Sequence, residues 1–223
     1  MPGGISRDEA WTLYCEWTAS PSLRRHALAV EAAMRAYARR LGGDEELWGI
    51  TGLLHDLDYE RYPSLTDGHP RIAMRELARR GYPDAMIRAI GAHADETGIP
   101  RETPMERALY AVDELCGFIL ACAYVRPDGL QGMTPRSVKK KMRTASFAAA
   151  VDRDALRRGA EELGIPFDEH VAFVIDALAA RADVLLGDGP TDPPAERPAH
   201  AASDAAPAPG RAAPRGPDPT PPR

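Results

Sequence analysis

The sequence predicts an all-α fold. Apolar residues recur at three- and four-residue spacing along most of the chain, no stretch alternates convincingly with period two, and Pro or Gly interrupts the pattern at short intervals. Ser20 followed by Pro21 reads as an N-cap with proline in the first turn. Val30, Met34, Tyr37 and Leu41 then recur until Gly42-Gly43 stops the helix. Asp44 opens a second helix marked by Leu47, Ile50, Leu53, Leu54 and Leu57, and a polar, Pro-containing loop occupies residues 59–68. After His69-Pro70, a helix carries Ile72, Met74 and Leu77 and ends at Gly81, while Pro83 starts another through Met86, Ile87 and Ile90. Thr103 and Glu106 form a capping box that launches a long apolar helix from Met105 to about Ala123. Thr134-Pro135 caps the next helix, and two more are expected over residues 153–163 and 167–186.

The expected folding unit is one domain over residues 5–187, with a core of about residues 20–125 and a helical extension over 134–187. Of 21 prolines, 11 follow Leu186, in a stretch of mostly Pro, Ala, Gly and Arg without apolar periodicity. Such a segment cannot bury enough surface to offset its ordering entropy, so residues 188–223 are expected to be a disordered tail. Net charge is −5 with 27% charged residues, which supplies no basic excess for nucleic acid or for an anionic membrane. The longest mostly apolar run, Leu115 to Val125, is too short to span a bilayer. The Pro-Gly opening lacks a secretory pattern, and Cys15, Cys116 and Cys122 lack CxxC spacing, so a reducing cytoplasm is the expected compartment.

Four of the six histidines fall between residues 26 and 93, interleaved with aspartate in the order His26, His55-Asp56, His69, His93, Asp113. Imidazole nitrogens and carboxylate oxygens together suit divalent Mn, Fe, Zn or Mg, and the absence of cysteine from the set argues against a thiolate site. Helical phase allows convergence. His26 lies in line with Val30, Ala33 and Tyr37, and Asp113 shares a stripe with Leu109, Cys116 and Leu120, so both side chains can point between helices. Burying Asp113 on so apolar a stripe without a partner would cost about 3–5 kcal/mol, and a metal cation is the most economical partner.

This order, with Leu53-Leu54-His55-Asp56 at its centre, resembles the HD-domain metal-dependent phosphohydrolases, whose signature is H…HD…D. The resemblance implies a helical fold in which His26, His55, Asp56 and Asp113 bind a divalent metal. His69, in a His-Pro-Arg-Ile-Ala stretch, and His93, after the apolar run from Ile87, look like the extra histidines of the binuclear subset. One or two ions per chain (Mn, Fe, Co, Ni, Mg or Zn) are therefore implied. Tyr59 stands three residues after Asp56, where one sub-group of HD nucleotidases has an acid and the cyclic-dinucleotide phosphodiesterases have a lysine, so neither substrate class carries over.

The function this implies is hydrolysis of a nucleotide or another small phosphate ester by a metal-activated water, with His55 and Asp56 at the reacting centre. An HD-type di-iron oxygenase cleaving a C–C or C–P bond, or a non-catalytic metal or nucleotide sensor, remains an alternative, because fold and ligands do not fix chemistry. Asp58, Glu60 and Asp67 are candidates for protonating the leaving oxygen. All three lysines are consecutive, Lys139 to Lys141, in an otherwise arginine-only chain. Val138 and Met142 mark the inward side of their helix, leaving Lys139 and Lys141 on the boundary as candidate phosphate contacts, with Arg126 as another. The expected partner is a small phosphorylated substrate, without specific nucleic-acid or membrane binding, and a homodimer is possible through a surface such as the 167–186 segment.

Overall fold

Capping chemistry sets where most of the helices begin. In a computed structural model of the protein, which describes residues 6–187, Ser20 caps α2 (Pro21–Leu41), Asp44 caps α3 (Glu45–Leu54), and the Thr103–Glu106 box starts α6 (Pro104–Tyr124). Thr134 caps α7 (Pro135–Met142) and Asp152 caps α8 (Arg153–Leu163). In each case a side-chain oxygen accepts one of the amides that the first helical turn leaves unpaired. Between α3 and α6 lie α4 (Arg71–Arg79) and α5 (Asp84–Ala92), and α9 (Phe167–Ala179) and α10 (Ala182–Leu186) follow α8. The described residues contain helices and turns and no strand, in keeping with the all-α expectation. None of their helices is long and apolar enough to cross a membrane.

The α2–α3 hairpin is the tightest pairing. Gly42 ends α2 in the left-handed conformation, φ 73°, which glycine adopts without steric cost. Gly52 lets α3 lie against α2, since a Cβ there would stand 2.9 Å from the Val30 carbonyl oxygen. The apolar helix α6 runs through the centre and packs on α2, α5, α8 and α9. Its Leu109, Leu115, Phe118 and Ile119 are fully buried, each removing roughly 1.5–3 kcal/mol worth of apolar surface from water.

Three elements differ from expectation. Residues 7–17 form α1 (Arg7–Trp17), opened by a capping box between Ser6 and Glu9 that the apolar pattern does not reveal. The helix expected to reach Leu57 ends at Leu54, after which the amides of Leu57 and Tyr59 donate three residues back, tightening the chain into turns. The single helix expected over 167–186 breaks at Ala180-Arg181 into α9 and α10. The expected tail over 188–223 lies outside the described residues.

One buried histidine ties three helices together. His170 on α9 donates from Nε2 to the Ala111 carbonyl on α6 at 3.0 Å, so its Nδ1 accepts the Tyr37 hydroxyl of α2 at 2.6 Å. Burial, opposed by the Ala111 bond, lowers its pKa from 6.5 to about 4. The folded state therefore keeps His170 neutral where the unfolded chain protonates. Its contribution is intact above pH 6.5 and falls as pH drops toward 4, by at most about 1.4 kcal/mol per pH unit. Denaturant titrations of wild type and His170→Gln at pH 7 and pH 5 should show a smaller acid loss in the variant; equal losses would contradict this origin of acid sensitivity.

Candidate metal centre

The six residues singled out by their order in the chain come together at the base of one cleft. His26 projects from α2, His55 and Asp56 follow the last turn of α3, His69 precedes α4, His93 ends α5, and Asp113 projects from α6. The helical phases deduced for His26 and Asp113 hold: His26 Nε2 lies 3.0 Å from Asp113 Oδ1. His55 Nε2 stands 3.2 Å from the same oxygen and 3.3 Å from Asp56 Oδ2. His26 Nε2 is 3.7 Å from Asp56 Oδ2.

Asp56 divides the site in two. Its Oδ2 faces His26 and His55, whereas its Oδ1 faces His69 Nε2 at 3.4 Å and His93 Nε2 at 3.7 Å. Two groups with metal-ligand geometry result, His26–His55–Asp56–Asp113 and Asp56–His69–His93, sharing one carboxylate.

The backbone and a further carboxylate aim three of the rings. His55 Nδ1 donates to the Gly52 carbonyl at 2.7 Å, His93 Nδ1 to the Ile90 carbonyl, and His69 Nδ1 to Asp58 Oδ1 at 2.7 Å. Each bond places the proton on Nδ1 and leaves the Nε2 lone pair facing the centre, which is how metal-binding imidazoles are held. Asp58 is fully buried, and its other oxygen accepts the Ala73 amide at 2.7 Å. The acid role entertained for Asp58 therefore gives way to orientation of His69, and Glu60 and Asp67 are likewise occupied. Glu60 accepts the Ala19 and Ser20 amides, and Asp67 accepts the Ser64 hydroxyl.

The charge balance calls for a cation. Asp56 and Asp113 are 12% and 20% exposed, and among the described residues their only ion-pair partners are histidines, with no Lys or Arg. Burial alone would raise both carboxyl pKa values, yet the surrounding imidazoles hold both below the ordinary range. Burial likewise opposes protonation of His55 and His69, but Asp56 and Asp113 lift His55, and Asp58 with Asp56 lifts His69, above 6.5. The carboxylates thus favour positive charge where a metal ion would sit, and the N/O donor set suits a divalent transition ion or Mg²⁺.

A cleft of about 500 Å³ opens over this centre. Leu23, Tyr59 and Leu65 give it apolar walls, and Glu114 and Arg158 lie on its sides. Burial and the nearby Asp113 raise the Glu114 carboxyl to about 7, a shift that a bound cation would draw back down. A second depression of about 620 Å³, bounded by Arg101, Arg107 and Glu162, shares Asp95 with the first but has no histidine.

The three expected phosphate contacts are not brought to the cleft. Lys139 pairs with Asp168 at 2.7 Å, Lys141 lies over the Phe147 ring, and Arg126 donates to the Gly129 and Gln131 carbonyls. Among the described residues the Lys or Arg side chain lining the cleft is that of Arg158, which was not among the expected phosphate contacts. Its only sequence signal is its place on α8, six residues after the Asp152 cap.

Comparison with known proteins agrees with the central motif. Residues 23–123 match the family described as HD domain. Ribonuclease Y of Rhodopirellula baltica is 29% identical over 133 residues, 60% of this chain and 24% of that protein. Ribonuclease Y of Aquifex aeolicus is 31% identical over 150 residues, 67% of this chain and 26% of that protein. The chain thus spans about a quarter of the length of these relatives. No solved structure matches.

Because the neighbouring carboxylates favour protonation of His55 and His69 and a metal would compete with those protons, Mn²⁺ affinity should rise with pH between about 6 and 8, and it should fall about 10–100-fold at one site in Asp58→Asn. Isothermal titration checks both; affinity independent of pH, or unchanged in the variant, would contradict the assignment.

Proposed function

Residues 23–123 are an HD domain of the metal-dependent phosphohydrolase superfamily, and on that premise we propose that this chain hydrolyses a phosphate ester of a nucleotide or another small phosphorylated metabolite. The observation that carries the reading is Asp56, whose two oxygens face two histidine groups with no Lys or Arg partner among the described residues. In this reading His26, His55, Asp56 and Asp113 hold one divalent ion, and Asp56, His69 and His93 hold a second. Such ions supply a water of lowered pKa and offset charge that develops on phosphate oxygens.

The chain's own residues prepare the site. Asp56 keeps the two groups in register, while Asp58, the Gly52 carbonyl and the Ile90 carbonyl fix the rings, so little reorganisation accompanies reaction. Leu23, Tyr59 and Leu65 offer an apolar wall to the non-phosphate part of a substrate and displace water beside it. The relatives' name, Ribonuclease Y, supports phosphate-ester chemistry and adds an RNA phosphodiester as a substrate to test.

The test is turnover of p-nitrophenyl phosphate, bis(p-nitrophenyl) phosphate, a mononucleotide panel and a short oligoribonucleotide with Mn²⁺, Co²⁺, Ni²⁺ or Mg²⁺. Wild type should hydrolyse at least one, and Asp56→Ala should fall to background while keeping its circular dichroism spectrum. Two irons per chain with O₂ consumption and no ester hydrolysis would overturn the hydrolase reading in favour of oxidation. Absence of both turnover and O₂ consumption would overturn it in favour of a sensor.

A further inference from the structure

The cleft is negatively lined. Besides Asp56 and Asp113, the carboxylates Asp95, Glu96, Glu114 and Asp152 border it, against one guanidinium among the described residues, that of Arg158. A phosphate approaching the centre meets like charge from most of the acidic and basic side chains in the lining, and among the described residues Arg158 is the only Lys or Arg there that can oppose it.

Arg158 is held beside the mouth. Its Nε and Nη2 lie 3.1 and 3.0 Å from the Tyr110 hydroxyl, and Nη2 is 3.2 Å from Asp95 Oδ2 and 3.6 Å from Asp152 Oδ2. Tyr110 precedes Asp113 by three residues on α6 and Asp95 follows His93 by two, so the guanidinium is braced by segments that carry two of the candidate ligands. Its side chain is 45% exposed, and among the described residues Nη1 makes no hydrogen bond, which leaves donors for a ligand in the cleft. A planar, permanently charged fork is the side chain best suited to two phosphate oxygens at once.

We infer that Arg158, on α8 and outside the segment matched to the HD domain, binds the phosphate of the substrate at the cleft mouth. The inference rests on the phosphate-ester reading above and names the residue that recognises that group. Tyr110 and Asp95 act as positioning residues that keep the guanidinium from folding away to solvent.

Inorganic phosphate is the probe. The Mn²⁺-loaded full chain should bind it, measured by calorimetry, with a Kd raised about tenfold or more in Arg158→Gln and partly restored in Arg158→Lys. Arg157→Gln removes the same charge one residue away, where the arginine pairs with Asp154 instead, and should leave the Kd within about twofold. Metal content and melting temperature, measured for every variant, separate loss of phosphate binding from loss of the centre or of the fold. On any ester that wild type hydrolyses, Arg158→Gln should raise KM more than it lowers kcat. An unchanged phosphate Kd in Arg158→Gln, or no phosphate binding by wild type, overturns the inference. Arg158-dependent phosphate binding without ester turnover would sink the hydrolase reading and leave this inference standing. Ester turnover with an unchanged KM in Arg158→Gln would do the reverse.

Discussion

Two carboxylates enclosed by histidine rings set the terms for the rest of the molecule. Asp56 and Asp113 sit among imidazoles with no arginine or lysine in reach among the described residues, and uncompensated carboxylates in such a place cost several kcal/mol. The same carboxylates raise the proton affinity of His55 and His69, so a cation binding there would compete with protons. Proton and metal therefore compete for one preformed arrangement. That competition requires ring positions fixed before any ion arrives.

The scaffold supplies this fixity through the backbone more than through side chains. Gly52 both permits the close α2–α3 contact and offers its carbonyl to His55, so one residue joins helix packing to ring orientation. Helix α6 brings Asp113 to the centre on a stem of buried Leu109, Leu115 and Ile119, and the His170 bond from α9 reaches that stem at Ala111. Asp58 has no place among the candidate ligands, yet by holding His69 it governs half of the centre.

Much of this was legible in the sequence because it is local. Capping residues mark most helix starts, and the 3.6-residue period places His26 and Asp113 on inward faces without knowledge of any partner. What stayed hidden depends on contacts between distant segments. The fate of Lys139 is decided by Asp168 on another helix, and the arrival of Arg158 at the cleft follows from how α8 packs on α6, which no periodicity encodes. Asp58 reads as a loop carboxylate until the tightening of the chain after Leu54 turns it inward. The break at Ala180-Arg181 carries neither Gly nor Pro, so no punctuation announced it.

The proposed role of Asp56 in joining two metal positions into one centre is tested most directly by electron paramagnetic resonance of the Mn²⁺-reconstituted chain with elemental analysis of the same sample. Two manganese ions per chain with an exchange-coupled spectrum are expected, since Asp56 belongs to both candidate groups. One manganese per chain with an isolated-ion spectrum, or two uncoupled ions, would contradict it.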